Sequence, residues 1–327
     1  MARRGGLGAD DHGGFDRPRK RSRPRTKERP DYSDAPSARV VTVDRGRYRC
    51  LLDSGVLVTA TKARVIGRKG VIVGDIVRLD GDTSGTEGTL ARIVEVEPRR
   101  TMLRRSADDA DTFERPIVAN ADQLMIVTAL ADPEPRMGMI DRIIVAAFDA
   151  KVAPLLCLTK ADLASPDALM AAYEPLGVPI IVTQPGSDLA PIHTILTDRA
   201  TVLIGHSGVG KSTLVNALVP GINRTTAEVS DLTGKGRHTS TSALAIPLPQ
   251  GGWIIDTPGV RSFGISHVKT SSIVAAFSDL TDFAERCPRG CRHETGALGC
   301  ALDEAVADGK LDPDRLASFR RMERAFI

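Results

Sequence analysis

The sequence of 327 residues predicts three folded parts in a row: an all-β barrel of the OB-fold type, a P-loop α/β domain, and a small helical zinc-binding domain. Three observations support this order. Short strand-like runs with glycine-rich turns come first, apolar runs that alternate with helical patterns follow, and a cluster of cysteines and one histidine comes last. We place these parts at 38–110, 111–265 and 266–327, after a basic arm at 1–37.

The composition limits the class of protein. Apolar residues make up 42% of the chain but aromatic residues only 4%, so the cores must be mostly aliphatic. Because no run of about 18 apolar residues occurs, we expect no membrane span. The first 30 residues hold ten Lys/Arg against four Asp/Glu and too few apolar residues to fold. We favour an arm for nucleic acid over a solvated tail without a partner.

The first folded part contains strand-like runs at 39–43, 48–52, 56–60, 74–79 and 88–96. Five strands in this length are typical of an OB-fold barrel, which usually binds RNA or single strands on one face. Tyr48 is the only aromatic side chain of these runs. We therefore expect any RNA contact to use phosphates and shape rather than base stacking.

The second part alternates strands and helices. Apolar runs at 123–130, 153–158, 179–183, 201–204 and 253–255 indicate strands, and residues 139–148 have helical spacing. This pattern predicts a parallel sheet with helices on both faces, which binds ligands at the carboxyl ends of its strands.

The central motif lies between an apolar strand and a helix, at 205–213. It follows the P-loop pattern of Gly, four residues and Gly-Lys-Ser/Thr. Glycines let successive N–H groups point at phosphate oxygens, Lys211 reaches the β- and γ-phosphates as a catalytic residue, and Ser212 offers a hydroxyl to Mg²⁺. The predicted nucleotide contacts of this loop are Gly205, His206, Ser207, Gly208, Val209, Gly210, Lys211, Ser212 and Thr213.

Two tetrapeptides follow other strands of the same predicted sheet. In the first, which starts at Thr159, the stem of Lys160 can lie along a base, and the Asp162 carboxylate can accept two hydrogen bonds from guanine that adenine cannot offer. In the second, Asp256 can hold the Mg²⁺ shell and the N–H of Gly259 can sense the γ-phosphate. With a P-loop in the same sheet, these motifs predict a GTPase that uses Mg²⁺ with GTP.

The order of the motifs is permuted. A typical small GTPase has its base-reading motif last, whereas here it precedes the P-loop. The same sheet is kept if the old ends are joined and a new break is opened, because domain termini often lie close together. The motif order therefore predicts a circularly permuted GTPase. Its Asp256 loop leads directly into the C-terminal segment, so a change of the bound nucleotide can be transmitted to that segment.

The region 221–249 is rich in Gly, Thr and Ser and is a candidate switch. We expect Thr239 or Thr241 to complete the Mg²⁺ shell. Val260 follows the Asp256 motif, where many GTPases have a glutamine that orients water, and an apolar side chain cannot do so. His238 is the candidate catalytic residue for this task, with equal weight given to a solvated loop histidine.

The C-terminal segment holds the candidate metal ligands Cys287, Cys291, His293 and Cys300. Three thiolates and one imidazole suit a closed tetrahedral Zn²⁺ site, and no position is left for water. We predict one structural zinc per chain, in a reducing compartment, that supports a segment too short for a good core of its own.

Together these motifs resemble the ribosome small-subunit-dependent GTPase family known as RsgA or YjeQ, over about residues 38–310. The resemblance implies a GTPase that binds the immature small ribosomal subunit and its rRNA, is stimulated there, and acts in late maturation. It also implies a catalytic histidine at His238. We expect a cytoplasmic monomer that exchanges GTP and GDP and contacts no membrane. The motifs that carry the resemblance are 74–75, 119–123, 159–162, 205–212, 236–239, 256–259 and the Cys/His cluster.

Two motifs depart from the family pattern. Thr159 stands where the base-reading motif usually begins with Asn, and a hydroxyl replaces only part of the hydrogen bonding of that amide. The zinc cluster has three residues between its first two cysteines and six before its last, where the family usually has four and five. Since the total length is unchanged, we expect the site to be kept.

Two other functions compete with this reading. The first is a P-loop ATPase of metabolism or transport, against which Asp162 and the barrel argue. The second is a non-hydrolysing RNA-binding scaffold that uses GTP only to hold its shape, which Val260 makes conceivable.

Overall fold

The computed structural model describes residues 31–67, 70–106, 114–220, 243–257 and 277–324. The basic arm up to residue 30 lies outside these residues. The first five strands form the barrel: β1 (Ser37–Asp44), β2 (Arg47–Leu52), β3 (Leu57–Lys62), β4 (Ile76–Gly81) and β5 (Ala91–Val96).

The five strands close on themselves. β1 pairs with β2, β2 with β3, β3 with β5 in parallel, β5 with β4, and β4 returns to β1. This closure confirms the predicted OB-fold barrel. Over the first four residues of β2 and of β3 every second side chain is buried, as the two-residue period of a strand requires. The core is aliphatic with one aromatic ring: Ala38, Val40, Tyr48, Cys50, Val58, Ala60, Val71, Val77, Leu79, Ala91 and Ile93.

A two-stranded hairpin joins the barrel to the rest of the chain. It consists of β6 (Met102–Ser106) and β7 (Glu114–Ala119), paired antiparallel, and was not predicted from the sequence. Gly74 meets its end so closely that a Cβ would lie 2.1 Å from the carbonyl oxygen of Ala119. The Asn120 amide donates to the Gly74 carbonyl at 3.0 Å. Two motifs of the resemblance, 74–75 and 119–123, therefore meet at this joint.

Six strands of the α/β domain lie within the described residues: β8 (Gln123–Ala129), β9 (Ala153–Thr159), β10 (Ile180–Val182), β11 (Ala200–Ile204), β12 (Leu244–Pro247) and β13 (Trp253–Asp256). They lie in the order β10-β9-β8-β11-β13-β12. Neighbouring strands in this order are parallel, with one exception. The edge strand β12 pairs antiparallel with β13. The predicted parallel sheet is confirmed, and β12 is an addition that lies within the predicted switch region.

Helices cover both faces of this sheet. They are α1 (Met137–Asp149), α2 (Asp167–Tyr173), α3 (Ala190–Leu196) and α4 (Lys211–Leu218). Buried side chains of α1 and α2 belong to one core cluster, and those of α3 and α4 to another. Two covered faces explain why the strands are continuous apolar runs rather than alternating ones.

The barrel and the sheet share one hydrogen-bonded ladder. Thr42 of β1 pairs with Leu244 of β12, next to a bulge in β1. The Arg39 guanidinium also lies 5.1 Å from the ring centroid of Trp253, at the start of β13. The first barrel strand is thus the neighbour of the edge strand of the α/β sheet.

The C-terminal segment contains α5 (Ser278–Ala284), α6 (Ala301–Ala307) and α7 (Pro313–Arg324). Phe277 lies between Phe148 at the end of α1 and Phe319 of α7, with ring centroids 6.2 and 5.3 Å away. The Arg321 guanidinium contacts the buried carboxylate of Asp141 in α1 at 3.2 Å. The segment therefore packs against the α1 side of the sheet. Among the described helices, none has both the length and the apolar character needed to cross a bilayer.

Candidate nucleotide and metal sites

The P-loop occupies the turn between β11, which ends at Ile204, and α4, which begins at Lys211. A Cβ on Gly205 would lie 2.1 Å from the carbonyl oxygen of Val127 in β8. Only glycine lets the chain pass this close to the neighbouring strand. The loop is therefore held against the sheet at its first residue.

Lys211 reaches back over this loop. Its ammonium group donates to the carbonyl oxygens of Gly205 and His206, the latter at 2.7 Å. Phosphate oxygens can replace these acceptors when a nucleotide enters, because both are oxygens that accept from an ammonium group. Ser207 and Gly208 are exposed at the tip of the loop, and Ser212 and Thr213 are exposed on the first turn of α4.

The base-reading motif lies at the end of β9, on the same edge of the sheet. The buried Thr159 hydroxyl donates to the carbonyl oxygen of Val209 at 2.6 Å, so this motif contacts the P-loop directly. The Lys160 ammonium group donates to the carbonyl oxygen of Asp132, and the Asp162 side chain is exposed. The structure thus brings the two motifs together despite 50 residues of separation in sequence.

Asp256 ends β13 beside the strand that leads into the P-loop. It pairs with Leu203 of β11 and is 5% exposed. The following residue, Thr257, fixes the turn by donating its hydroxyl to the Leu203 carbonyl at 3.0 Å. A carboxylate and the hydroxyl of Ser212 are hard oxygen donors of the kind that Mg²⁺ prefers, so these residues fit the ion. His238, Thr239, Thr241, Gly259 and Val260 lie outside the described residues.

Sequence reasoning missed one wall of this site, the turn that follows β10. The Thr183 carbonyl accepts a hydrogen bond from the N–H of Ala161, inside the base-reading motif, at 3.1 Å. The Ser187 hydroxyl then closes the turn by accepting from the N–H of Gln184 at 2.9 Å. A Pro-Gly pair at 185–186, directly after an apolar strand, was the available signal.

Comparison with known proteins places this arrangement in a family. The family model described as RsgA GTPase matches residues 96–266, which include all three nucleotide motifs. The chain belongs to the RsgA GTPase family. It is a GTP-hydrolysing enzyme of the P-loop class, and its motif order is circularly permuted.

Named relatives agree. A protein of Azotobacter vinelandii named Small ribosomal subunit biogenesis GTPase RsgA is 38% identical over 283 residues, 84% of this chain and 77% of the relative. The RsgA protein of Pseudomonas aeruginosa PAO1 is 40% identical over 248 residues, 73% and 72% of the two chains.

Solved structures share the fold. YjeQ from Thermotoga maritima matches with a TM-score of 0.68 and 24% identity, covering 89% of this chain and 98% of its own. YloQ, described as a circularly permuted GTPase, gives a TM-score of 0.66 at 24% identity, with 89% and 94% covered.

The second site of this RsgA-family chain is the Cys/His cluster between α5 and α6. One ligand atom from each of Cys287, Cys291, His293 and Cys300 lies within 4.8 Å of all the others. The three sulfur atoms are 3.6, 3.7 and 4.0 Å from Nδ1 of His293. Tetrahedral zinc with ordinary bond lengths would separate sulfur and nitrogen by about 3.5 Å. The altered spacing of the cysteines therefore still gives a set of donors that fits zinc.

Surrounding groups set the protonation of these side chains. Backbone N–H groups of His293 and Ala301 donate to the sulfur atoms of Cys291 and Cys287, at 3.4 and 3.2 Å. Burial, assisted by the charge of Arg320, lowers the pKa of His293, which favours the neutral imidazole that ligates metals. Burial raises the pKa of the Cys287 thiol to about 11, so a cation is needed for it to ionise at neutral pH.

Proposed function

We propose that this chain is a cytoplasmic, monomeric GTPase that binds the small ribosomal subunit and its rRNA, and that the subunit stimulates hydrolysis of GTP to GDP and phosphate during late maturation. The observation that carries the proposal is that three nucleotide motifs meet at one edge of a sheet to which an OB-fold barrel is joined by strand pairing. The names of the A. vinelandii and P. aeruginosa relatives support the ribosomal part.

In the reaction, water attacks the γ-phosphorus in line with the bond to the β-phosphate oxygen. That bond breaks, its electron pair leaves with the oxygen of GDP, and the proton lost by the water passes to the phosphate product or to solvent. Lys211 and the N–H groups of residues 205–213 hold the phosphates, while Asp162 and Lys160 hold the base. His238 orients the attacking water, and the N–H of Gly259 senses the γ-phosphate. Ser212, Thr239 and Asp256 would hold Mg²⁺, which would neutralise charge on the phosphates.

The outer face of β2 and β3 is the proposed RNA surface, because OB-folds bind nucleic acid there. Arg47 is exposed, and Arg49 is half-buried with its guanidinium 3.3 Å from the Thr59 hydroxyl. Arg92 is exposed on β5, where its pairing partner Thr61 of β3 places it beside the same face. Arginines and hydroxyls without aromatic rings suit phosphate and 2′-OH contacts rather than base stacking.

Strand pairing offers a route from the barrel to the nucleotide. Thr42 of β1 pairs with Leu244, and Leu244 pairs with Asp256. Only one strand, β12, therefore separates the barrel from the residue proposed to hold Mg²⁺. A shift of the barrel on RNA would move β12 relative to β13, which is a physical basis for stimulation by the subunit.

The C-terminal cluster is proposed to hold one structural Zn²⁺. Its ligands lie on the connection from α5 to α6, and Ala301, which donates to Cys287, is the first residue of α6. The ion would thus tie the start of α6 to the end of α5. We place the domain boundaries at 38–110, 111–265 and 266–327, with the arm at 1–37 adding basic charge toward RNA.

The proposal is tested by nucleotide hydrolysis with the full-length chain. GTP should be turned over and ATP should not, and His238→Ala should abolish turnover while leaving GTP binding intact. Preference for ATP would support a P-loop ATPase instead. Absence of turnover with tight GTP binding would support the scaffold. Co-sedimentation with purified small subunits should occur in the presence of GTP and weaken in GDP.

A further inference from the structure

Thr159, the last residue of β9, lies beneath the P-loop. Its side-chain oxygen is 2.6 Å from the carbonyl oxygen of Val209 and 3.3 Å from that of Thr128, and the residue is 6% exposed. Both neighbours are acceptors. A hydroxyl group has one proton to donate, so it serves one of them, and the shorter contact is the one to Val209.

This contact fixes the middle of the P-loop. The Val209 side chain is buried, and its Cγ2 would lie 3.1 Å from a Cβ on Gly205. A Cβ on Gly210 would lie 3.7 Å from the Thr159 hydroxyl oxygen. The backbone of residues 209–210 therefore rests on the Thr159 side chain, and the direction of the N–H groups that meet phosphate depends on it.

The same contact limits what Thr159 can do for the base. N7 of a purine only accepts hydrogen bonds. An asparagine amide has two N–H donors, so one can serve the loop carbonyl and the other N7, whereas threonine has one donor. In this chain that donor is already engaged by Val209.

We propose that Thr159 is a positioning residue that holds the P-loop through the Val209 carbonyl and leaves N7 of guanine unread, so that base selection rests on Asp162. The inference rests on the proposed nucleotide site. Its consequence is a site that accepts guanine nucleotides altered at position 7, but still requires the N1–H and 2-amino groups that a carboxylate can read.

The test compares the dissociation constants of GDP and 7-deaza-GDP for the full-length chain by titration calorimetry, with Mg²⁺ present. The wild-type chain should bind both within about twofold. Thr159→Asn should bind 7-deaza-GDP about fivefold more weakly than GDP, which is the value of one neutral hydrogen bond. A fivefold preference of the wild-type chain for GDP would overturn the proposal.

Two further variants test the positioning role. Thr159→Val keeps the shape but removes the proton, and it should weaken GDP and 7-deaza-GDP equally, by about fivefold. Thr159→Ser keeps the hydroxyl, so it should bind both nucleotides as tightly as the wild-type chain does. A loss of packing alone would not predict this result. Equal thermal unfolding temperatures would show that the variants are folded. Unchanged affinities in folded Thr159→Val would show that the hydroxyl does not position the loop.

Asp162→Asn is the matched control for the base. This variant should bind GDP more weakly and xanthosine diphosphate more tightly, because an amide N–H can donate to the 2-oxo group. Its affinity should still not depend on the atom at position 7 of the base. If the wild-type chain bound no GDP, the proposed nucleotide site would be contradicted, and this inference would be contradicted with it. A lack of stimulation by ribosomal subunits would contradict only the ribosomal assignment.

Discussion

Replacement of Arg99 by alanine should unfold the joint between barrel and GTPase sheet at lower denaturant concentration. The Asp75 side chain is fully buried, and Arg99 donates to both its carboxylate oxygens, at 2.7 and 2.9 Å. Arg99 also donates to the Gly70 carbonyl at 2.8 Å. Removing one partner of a buried ion pair leaves an uncompensated charge and costs about 3–5 kcal/mol.

The structure places the expected loss at the lower end of that range. Asp75 keeps a hydrogen bond from the N–H of Ile72 at 2.8 Å, so we expect about 3 kcal/mol for Arg99→Ala. Arg99→Lys keeps the charge but loses the two parallel hydrogen bonds, so about 1–2 kcal/mol should be lost. The loss of stability in Arg99→Lys measures the contribution of the hydrogen-bond geometry. The additional loss in Arg99→Ala measures the contribution of the charge.

The assay is urea unfolding followed by tryptophan fluorescence. Trp253 is the single tryptophan of the chain, and Arg39 of β1 lies over its ring, so its emission reports on this joint. Far-UV circular dichroism of the same samples shows whether the rest of the chain unfolds with it. An Arg99→Ala chain as stable as the wild type, within about 0.5 kcal/mol, would refute the account of the joint.

Three further predictions concern the metal cluster, the pH response and the RNA surface. Cys291→Ser, or chelation of the wild type, should remove one zinc per chain, as measured by atomic emission, and lower the helical circular dichroism signal. Retained helicity in the metal-free chain would show that the metal is not structural. Burial, with Glu294 adding to it and Arg320 opposing, raises the pKa of Glu323 to about 7. An acid with a raised folded-state pKa destabilises the fold when it is ionised, so stability should fall as the pH rises from about 4.5 to about 7. Glu323→Gln should remove about 1 kcal/mol of that fall after solvent screening. Identical pH–stability curves would contradict this origin. Arg47→Glu with Arg49→Glu should weaken subunit binding and reduce its salt dependence by about 0.7 per lost phosphate contact, with basal GTP turnover as the control.

Local spacing decided which parts of the site the sequence could predict. The P-loop and the Cys/His cluster each lie within a short stretch, so their residues could be named before any fold was known. The barrel strands were located within about three residues, because turn glycines punctuate them. The sequence indicated that the base-reading motif binds guanine. It did not indicate that Thr159 contacts the Val209 carbonyl of the P-loop.

Features that depend on distant parts of the chain were missed. β12 is four residues long, and its pairing with β13 and β1 is what makes it a strand. The hairpin β6–β7 was missed for a similar reason, because Val118 meets Val73 of the barrel side only in the fold. The turn at 183–187 lies beside the base-reading motif because the strands that precede them, β10 and β9, are neighbours in the sheet. Non-local pairing leaves little trace in a single sequence.

The most direct test of the central claim is the ratio of GTP turnover with and without purified small ribosomal subunits, measured on the full-length chain at fixed salt. The account predicts strong stimulation by small subunits, none by large subunits, and a loss of stimulation in the Arg47 and Arg49 double variant with basal turnover retained. GTP turnover that is indifferent to small subunits would contradict it, because the barrel would then have no effect on the nucleotide site that its first strand adjoins.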